Sequence, residues 1–102
     1  GITNLHSSEA DFSDAIRLNG SNAFVYYNRG NLHAGRNELS KAIDDYSIAI
    51  RLDANLAEAY YNRGIARSKA GNKPAAIQDL SKAGELGLYD AYAVIKRLNK
   101  QK

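Results

Sequence analysis

The sequence predicts an all-α fold, a stack of antiparallel helix pairs with about six helices. Two observations support this prediction. The pentapeptide YYNRG occurs twice, at Tyr26–Gly30 and again at Tyr60–Gly64. Apolar residues recur at helical spacing within each copy, and a repeated helix pair of this length is typical of stacked repeat proteins. We therefore expect copies of one helix pair that bury a shared core.

The repeated unit extends well beyond the pentapeptide. The stretch DFSDAIRL at Asp11–Leu18 aligns with DYSIAIRL at Asp45–Leu52. A further shift by the same period aligns Ala42, Ile43, Asp45, Ser47, Ala49 and Leu52 with Ala76, Ile77, Asp79, Ser81, Ala83 and Leu86. We predict one domain, 1–102, divided into a second-helix half repeat at 8–22, full repeats at 23–56 and 57–90, and a C-terminal capping helix at 91–102.

Within these units the apolar spacing places six helices, near 7–19, 22–35, 38–52, 56–70, 73–86 and 89–100. Asn55 with Glu58 resembles a capping box, and Asn37 and Asn72 are placed to cap the second helices. Pro74 falls in a first turn, where its missing N–H matters least. Left-handed helix ends are expected at Gly20, Gly35, Gly71 and Gly87.

Small residues recur where two helices of a pair must approach each other. Gly30 and Gly64 are followed, at one constant spacing, by Ala42 and Ala76, and the period of the repeat also relates Tyr46 to Leu80 and Ala49 to Ala83. In these positions residues 8–98 resemble the tetratricopeptide repeat family. The resemblance implies a right-handed superhelical α-solenoid whose first helices line a concave groove for an extended peptide or a partner helix. Gly84 interrupts the last second helix and is expected to weaken it by up to about 1 kcal/mol.

Each first helix has two different faces. One carries the small glycine and a tyrosine and is expected to be core, as with Tyr26 and Gly30. The other carries rings and carboxamides, which could contact a peptide and bind its backbone. The resemblance implies that the partner-binding residues are Phe24, Tyr27, Asn28, Asn31, Glu58, Tyr61, Asn62, Ile65, Lys69, Tyr92 and Lys96. The alternative is that the asparagines are ordinary exposed residues and that Tyr27 and Tyr61 cover neighbouring helices.

Some members of the family bind the acidic C-terminus of chaperones through a carboxylate clamp. Asn31, Asn62 and Lys96 match three positions of that clamp, but Tyr27 and Tyr92 stand where it needs lysine. Without those two cations, we do not expect this chain to bind a chaperone tail.

Arginine and aspartate form two ladders that share the period of the repeat. Each arginine follows an aspartate at one constant spacing, which gives three pairs: Asp11–Arg29, Asp45–Arg63 and Asp79–Arg97. We predict that these are structural ion pairs between repeats, because pairing within a repeat would satisfy only two. The competing interpretation is an arginine row that grips phosphate or an acidic peptide.

The residues give no sign of an enzyme, a metal site or a cofactor. The chain has no cysteine, and His6 and His33 have no metal-ligand spacing beside them. No apolar run approaches the roughly 20 residues of a membrane span, and no targeting signal opens the chain, so membrane insertion is not expected. The compartment stays open, with the cytoplasm favoured.

Three functional hypotheses remain at this point. The leading one is a protein-interaction module that binds a protein or peptide partner in the groove. The alternative is a structural element that forms a homo-oligomer through its uncapped N-terminal helix, at Phe12, Ala15 and Ile16. A third is nucleic-acid binding through the basic tail IKRLNKQK, which we do not expect, because favourable charge at a helix C-terminus explains it more simply.

Overall fold

The computed structural model describes residue 16 and residues 20–101, which form five α-helices and no strand. The predicted helix at 7–19 lies outside the described residues apart from residue 16, and so do Phe12 and Ala15. The helices are α1 (Ala23–Gly35), α2 (Leu39–Leu52), α3 (Ala57–Lys69), α4 (Lys73–Glu85) and α5 (Asp90–Asn99). The predicted all-α stack is confirmed. None of these five helices is long and apolar enough to cross a membrane.

Each helix packs against the next one along the chain, and α1 also contacts α3. The core is built mainly from alanines, which let the helices approach closely. Tyr46 in α2 and Leu80 in α4 are the two largest side chains that are fully buried, and they occupy equivalent positions in the two repeats. The alanines with no exposed surface are Ala42, Ala49, Ala59, Ala76, Ala83 and Ala91.

The glycine of each YYNRG segment lies directly against one of these two large side chains. A Cβ atom at Gly30 would lie 2.7 Å from Cε1 of Tyr46, and one at Gly64 would lie 2.9 Å from Cγ of Leu80. Both distances are too short for a real Cβ contact. The repeated glycine is therefore what allows the two helices of each hairpin to pack.

The helix starts agree only partly with prediction. Asn72 caps α4 by accepting a hydrogen bond from the Ala75 N–H at 3.3 Å, and Pro74 lies in the first turn, as predicted. The predicted caps at Asn37 and Asn55 are wrong, since α2 and α3 begin without a side-chain cap. Asn55 instead donates its backbone N–H to the Asp53 side chain.

The helix ends show a similar division. Gly71 and Gly87 adopt the left-handed conformation, with φ of 90° and 109°, as predicted. Gly20 and Gly35 do not. After α1 the left-handed residue is Asn37, with φ of 60°, because Gly35 still belongs to the helix and the chain turns two residues later. Asparagine tolerates this conformation better than most residues that have a Cβ.

Candidate functional site

The first helices of the two repeats, α1 and α3, leave a groove between them. It contains a pocket of about 190 Å³. A cavity of roughly 150 Å³ is enough to hold a benzene ring, so this pocket has room for one apolar side chain. The groove pocket, as we call it, is lined by Asn31, Ala34, Leu39, Tyr46, Asn62, Ile65, Ala66 and Lys69.

The groove pocket contains both predicted and unpredicted residues. Asn31, Asn62, Ile65 and Lys69 belong to the predicted partner-binding set, and the structure brings all four together. Leu39 and Tyr46 were not predicted because they lie on α2, the second helix of the repeat. The phenol of Tyr46, which replaces a leucine at the equivalent position of the next repeat, is the one signal in the sequence that could have pointed to it.

A hydrogen-bond network joins the two repeats at the polar end of the groove pocket. Asn62 donates from its side-chain amide to the Tyr27 hydroxyl at 3.1 Å and to Oδ1 of Asn31 at 3.0 Å. The Tyr46 hydroxyl donates to the same Asn31 oxygen at 2.6 Å. Asn31 and Asn62 are therefore held in fixed positions. Their side chains would lose little conformational entropy when a partner binds.

Aromatic rings continue from this network to the surface. Tyr27 lies 6.0 Å from Tyr46, centroid to centroid, and Phe24 meets Tyr27 edge to face at 6.3 Å. Phe24 is 55% exposed, although it is a large apolar side chain. The row of three rings thus runs from a buried phenol to an exposed phenyl group, and it offers apolar contact area beside the groove pocket.

The remaining predicted residues lie outside the groove pocket. Asn28, Glu58 and Lys96 are exposed, and Tyr61 packs against the core cluster of α4 and α5. Asn62 thus meets Asn31 rather than Asn28 in the neighbouring repeat.

Tyr92 is half exposed and lies over Gly84, where a Cβ atom would come within 2.5 Å of its ring. Gly84, which the sequence marks as a weak point of its helix, gives the Tyr92 ring room to lie against α4.

Burial raises the pKa of Tyr46 to about 12, and the nearby Tyr27 and Asp45 act in the same direction. The neighbouring Asn62 side chain acts in the opposite direction and lowers the pKa of Tyr46. The side chain is therefore a neutral hydrogen-bond donor throughout the physiological range, and it keeps the Asn31 oxygen occupied.

This shift predicts an alkaline transition. An unfolded chain releases a tyrosine proton near pH 10, whereas folded Tyr46 keeps it until about pH 12. The contribution of Tyr46 to stability is thus complete below about pH 10 and is lost as the pH rises towards about 12. Absorbance titration of tyrosinate should show a late step that Tyr46→Phe lacks. Superimposable titrations of the two proteins would contradict the assignment.

Among the described residues, the ion pairs of these arginines and aspartates form within repeats, not between them. Arg29 makes two hydrogen bonds to Asp45, at 2.8 and 2.7 Å, and Arg63 makes two to Asp79, at 2.9 and 2.7 Å. The predicted pairs Asp45–Arg63 and Asp79–Arg97 are therefore wrong. The predicted partner of Arg29, Asp11, lies outside the described residues. The exposed Arg97 is not among the residues paired with Asp79, which binds Arg67 as well as Arg63.

Side-chain direction explains this choice of partner. Arg29 lies one helical turn before His33, and both side chains approach Asp45, so this side of α1 faces the second helix of its own hairpin. Contact with the preceding repeat is made differently: Arg63 donates to the Ser47 hydroxyl at 3.0 Å. The guanidinium groups of Arg29 and Arg63 also lie 5.8 Å from the ring centroids of Tyr26 and Tyr60. The guanidinium groups of both arginines are occupied by contacts within the fold. This argues against a row of arginines that binds phosphate.

Comparison with known proteins decides the family. Residues 34–71 match the family model described as TPR repeat. The TPR domain of Arabidopsis OM64 is 31% identical, with a TM-score of 0.83 over 89% of this chain and 77% of that one. The chain belongs to the tetratricopeptide repeat family. No curated protein sequence matches it.

Two further tetratricopeptide structures resemble the chain. The second TPR domain of human RPAP3, solved in complex with an HSP70 peptide, is 26% identical, with a TM-score of 0.82, over 88% of this chain and 77% of that one. YrrB, described as a TPR protein with an unusual peptide-binding site, is 30% identical with a TM-score of 0.79. That match covers 85% of this chain and 46% of YrrB, so the chain spans about half the length of YrrB.

Within this tetratricopeptide domain the carboxylate-clamp positions are only partly cationic. Asn31 and Asn62 lie in the groove pocket, but Tyr27 occupies the first lysine position and accepts a hydrogen bond from Asn62. Tyr92, at the second lysine position, rests on Gly84. Neither phenol supplies the positive charge that would hold a free carboxylate.

Among the described residues, no group of three or more His, Asp or Glu side chains is placed to hold a metal ion.

Proposed function

We propose that the protein is a non-enzymatic interaction module that binds an extended segment of a partner protein in the groove between α1 and α3. The observation that carries this proposal is the groove pocket. It combines an apolar wall with two fixed carboxamides and the exposed cation of Lys69 at its rim. Such a pocket suits one apolar side chain of the partner, with the peptide backbone near the carboxamides.

The charge of the site favours an internal segment over a chain terminus. Tyr27 and Tyr92 replace the two lysines of the carboxylate clamp, so a C-terminal carboxylate would be desolvated without two of the cations that the clamp provides. Lys69 is better placed to meet an acidic side chain beside the apolar anchor. The RPAP3 domain, solved with an HSP70 peptide, supports peptide binding as a use of this fold, whereas the sequence preference proposed here is this chain's own.

Peptide selection followed by affinity measurement tests the proposal. Peptides are selected from a random display library against the protein, and the best binders are measured by calorimetry. Ile65→Arg should weaken binding at least about tenfold, because it places a long charged side chain in the groove pocket. Asn62→Ala should weaken it by a smaller factor.

The matched control is Ile48→Arg, the same substitution at another half-buried isoleucine. Ile48 lies on α2 beside two other cavities and does not line the groove pocket. Circular dichroism establishes that both variants are folded. Equal affinities of the parent protein and Ile65→Arg for the selected peptides would overturn the proposal, and so would a library that yields no binder.

A further inference from the structure

The orientation of the two carboxamides in the groove pocket follows from the distances in their hydrogen-bond network. The Tyr46 hydroxyl lies 2.6 Å from Oδ1 of Asn31, which suits an O–H···O bond and is shorter than the roughly 2.7–3.2 Å of an N–H···O bond. The Tyr27 hydroxyl lies 3.1 Å from the side-chain nitrogen of Asn62, which suits an N–H···O bond and is longer than the roughly 2.5–3.0 Å of an O–H···O bond. Both distances argue against the arrangement in which oxygen and nitrogen exchange places in the two carboxamides.

The network uses different atoms of the two carboxamides. Oδ1 of Asn31 accepts from the Tyr46 hydroxyl and, at 3.0 Å, from Asn62, so both of its acceptor positions are occupied. Asn62 donates one amide proton to Tyr27 and the other to Asn31. The groups that remain are the NH₂ group of Asn31, which only donates, and Oδ1 of Asn62, which only accepts.

These two remaining groups are accessible to a partner. Neither one has a hydrogen-bond partner among the residues that the structure describes. Within the same part of the chain, no side-chain nitrogen or oxygen atom is both buried and without a partner, so both groups reach the surface. Asn31 and Asn62 line the groove pocket and are bonded to each other. The pocket therefore presents a donor group and an acceptor from two carboxamides in direct contact.

An amide group of a partner complements this pair. Its carbonyl oxygen can accept a proton from Asn31 while its N–H donates to Oδ1 of Asn62. A carboxylate has acceptors only. It would place a negatively charged oxygen near Oδ1 of Asn62 and would leave that acceptor without a donor.

We propose that the polar end of the groove pocket is an amide-selective subsite, which binds an uncharged amide of the partner in preference to a carboxylate. The amide belongs either to the partner's backbone or to an asparagine or glutamine side chain. Tyr27 and Tyr46 are positioning residues, because their hydroxyls fix which atom each carboxamide presents. This inference rests on the proposed function, since it assigns a chemical preference to one end of the same pocket.

Electrostatic attraction alone predicts the opposite preference. Lys69 lies at the rim of the pocket, and the chain has a net charge of +3, so both would favour an acid. Lys69 follows Asn62 by two turns of α3, which is about 10 Å along the helix axis, and it would meet a different position of the partner. The carboxylate of Asp45, the residue before Tyr46, is bound by Arg29. A preference for an amide would therefore come from the network rather than from the overall charge.

Hydrogen exchange of side-chain amide protons, followed by NMR, tests the network without any partner. The NH₂ protons of Asn62 should exchange at least about tenfold more slowly than those of Asn31, because both Asn62 protons are hydrogen-bonded. The matched control is Asn28, an exposed asparagine on α1 whose NH₂ protons should exchange as fast as those of Asn31. Slower exchange at Asn31 than at Asn62, or equal rates at all three, would overturn the proposal.

Blocked tripeptides, which carry no terminal charge, test the preference itself. The binding of acetyl-Leu-Gln-Leu-amide and acetyl-Leu-Glu-Leu-amide at pH 7 is measured from the NMR shifts of the residues that line the pocket. If a side-chain amide is bound, the glutamate tripeptide should bind at least about tenfold more weakly. If a backbone amide is bound, a loss of that size should appear instead when an ester replaces a peptide N–H. Equal affinities of all these peptides, tighter binding of the glutamate tripeptide, or no shifts at millimolar peptide would overturn the proposal.

The double variant Tyr27→Phe/Tyr46→Phe tests the role of the two hydroxyls. Without them both carboxamides can rotate, so the preference for the amide should fall to about twofold or less. A purely structural role would weaken all the peptides alike and leave the ratio of their affinities unchanged. Circular dichroism establishes that the variant is folded.

The proposed function is judged separately, by the effect of Ile65→Arg on peptides selected from the library. If those peptides depend on Ile65 but show no preference for an amide, only the present inference fails. If Asn62 exchanges slowly but no peptide depends on Ile65, the network stands and the proposed function fails.

Discussion

Replacing Asp79 with alanine is expected to destabilise the protein by about 3 kcal/mol. Asp79 is 4% exposed and accepts three hydrogen bonds, two from Arg63 and one from Arg67. Its removal leaves two guanidinium groups beside a small cavity with no carboxylate to neutralise them. For a domain of this size, the loss corresponds to a fall in Tm of about 15 °C in a thermal unfolding experiment.

Two single substitutions serve as controls for the stability loss of Asp79→Ala. Arg67→Ala should cost about 1 kcal/mol, because the Arg67 side chain is 26% exposed and Asp79 keeps its two bonds to Arg63. Asp44→Ala removes an exposed carboxylate from the preceding second helix and should change stability by less than about 0.5 kcal/mol. A cost for Asp79→Ala as small as that of Asp44→Ala would show that the buried carboxylate contributes nothing specific.

A pair of double-mutant cycles separates the two possible partners of Arg63. Alanine at Arg63 and Asp79 should give a coupling energy of about 2 kcal/mol, since these side chains share two hydrogen bonds. Alanine at Arg63 and Asp45 should give much weaker coupling, because Asp45 is bound by Arg29. Stronger coupling between Arg63 and Asp45 would restore the pairing between repeats that the sequence suggested.

The pairing of these arginines and aspartates could be predicted only in part from the sequence. The period of the repeat relates all the arginines to one another and all the aspartates to one another, but it contains no information about which ladder member meets which. An arginine can pair with the aspartate before it or with the aspartate after it, and both arrangements have the same period. The first arrangement gives more complete pairs within the chain. The structure uses the second, because the sides of α1 and α3 that carry Arg29 and Arg63 face the aspartates on the second helices of their own hairpins.

The helices could be predicted more fully than the groove. Apolar spacing and glycine positions fixed the order of the helices and the face of each one that is buried. The same patterns could not show whether Asn28 or Asn31 meets Asn62, since residues three apart lie on nearly the same side of a helix. The contribution of Leu39 and Tyr46 to the groove pocket depends on how closely α2 approaches α1 and α3. Such distances arise from three-dimensional packing and not from the period of one helix.

Replacing Gly30 with alanine is expected to cost about 2 kcal/mol, although alanine favours a helix by about 1 kcal/mol over glycine. The new Cβ atom would lie 2.7 and 2.8 Å from two ring carbons of Tyr46. That ring cannot move aside easily, because it is 1% exposed and its hydroxyl is bonded to Asn31 at 2.6 Å. Chemical denaturation measures the cost, and weaker peptide binding should accompany it because Tyr46 lines the groove pocket.

Two other helical glycines provide controls for this substitution. Gly35 has no atom within 4 Å of its added Cβ, so Gly35→Ala should stabilise the protein by about 0.5–1 kcal/mol through helix propensity alone. At Gly84 the added Cβ would meet the outer ring atoms of Tyr92, which is 47% exposed and can turn into solvent. Gly84→Ala should therefore change stability by less than about 0.5 kcal/mol. If Gly30→Ala behaved like Gly35→Ala, the close approach of α1 and α2 at Tyr46 would be wrong, and the floor of the groove pocket would be wrong with it.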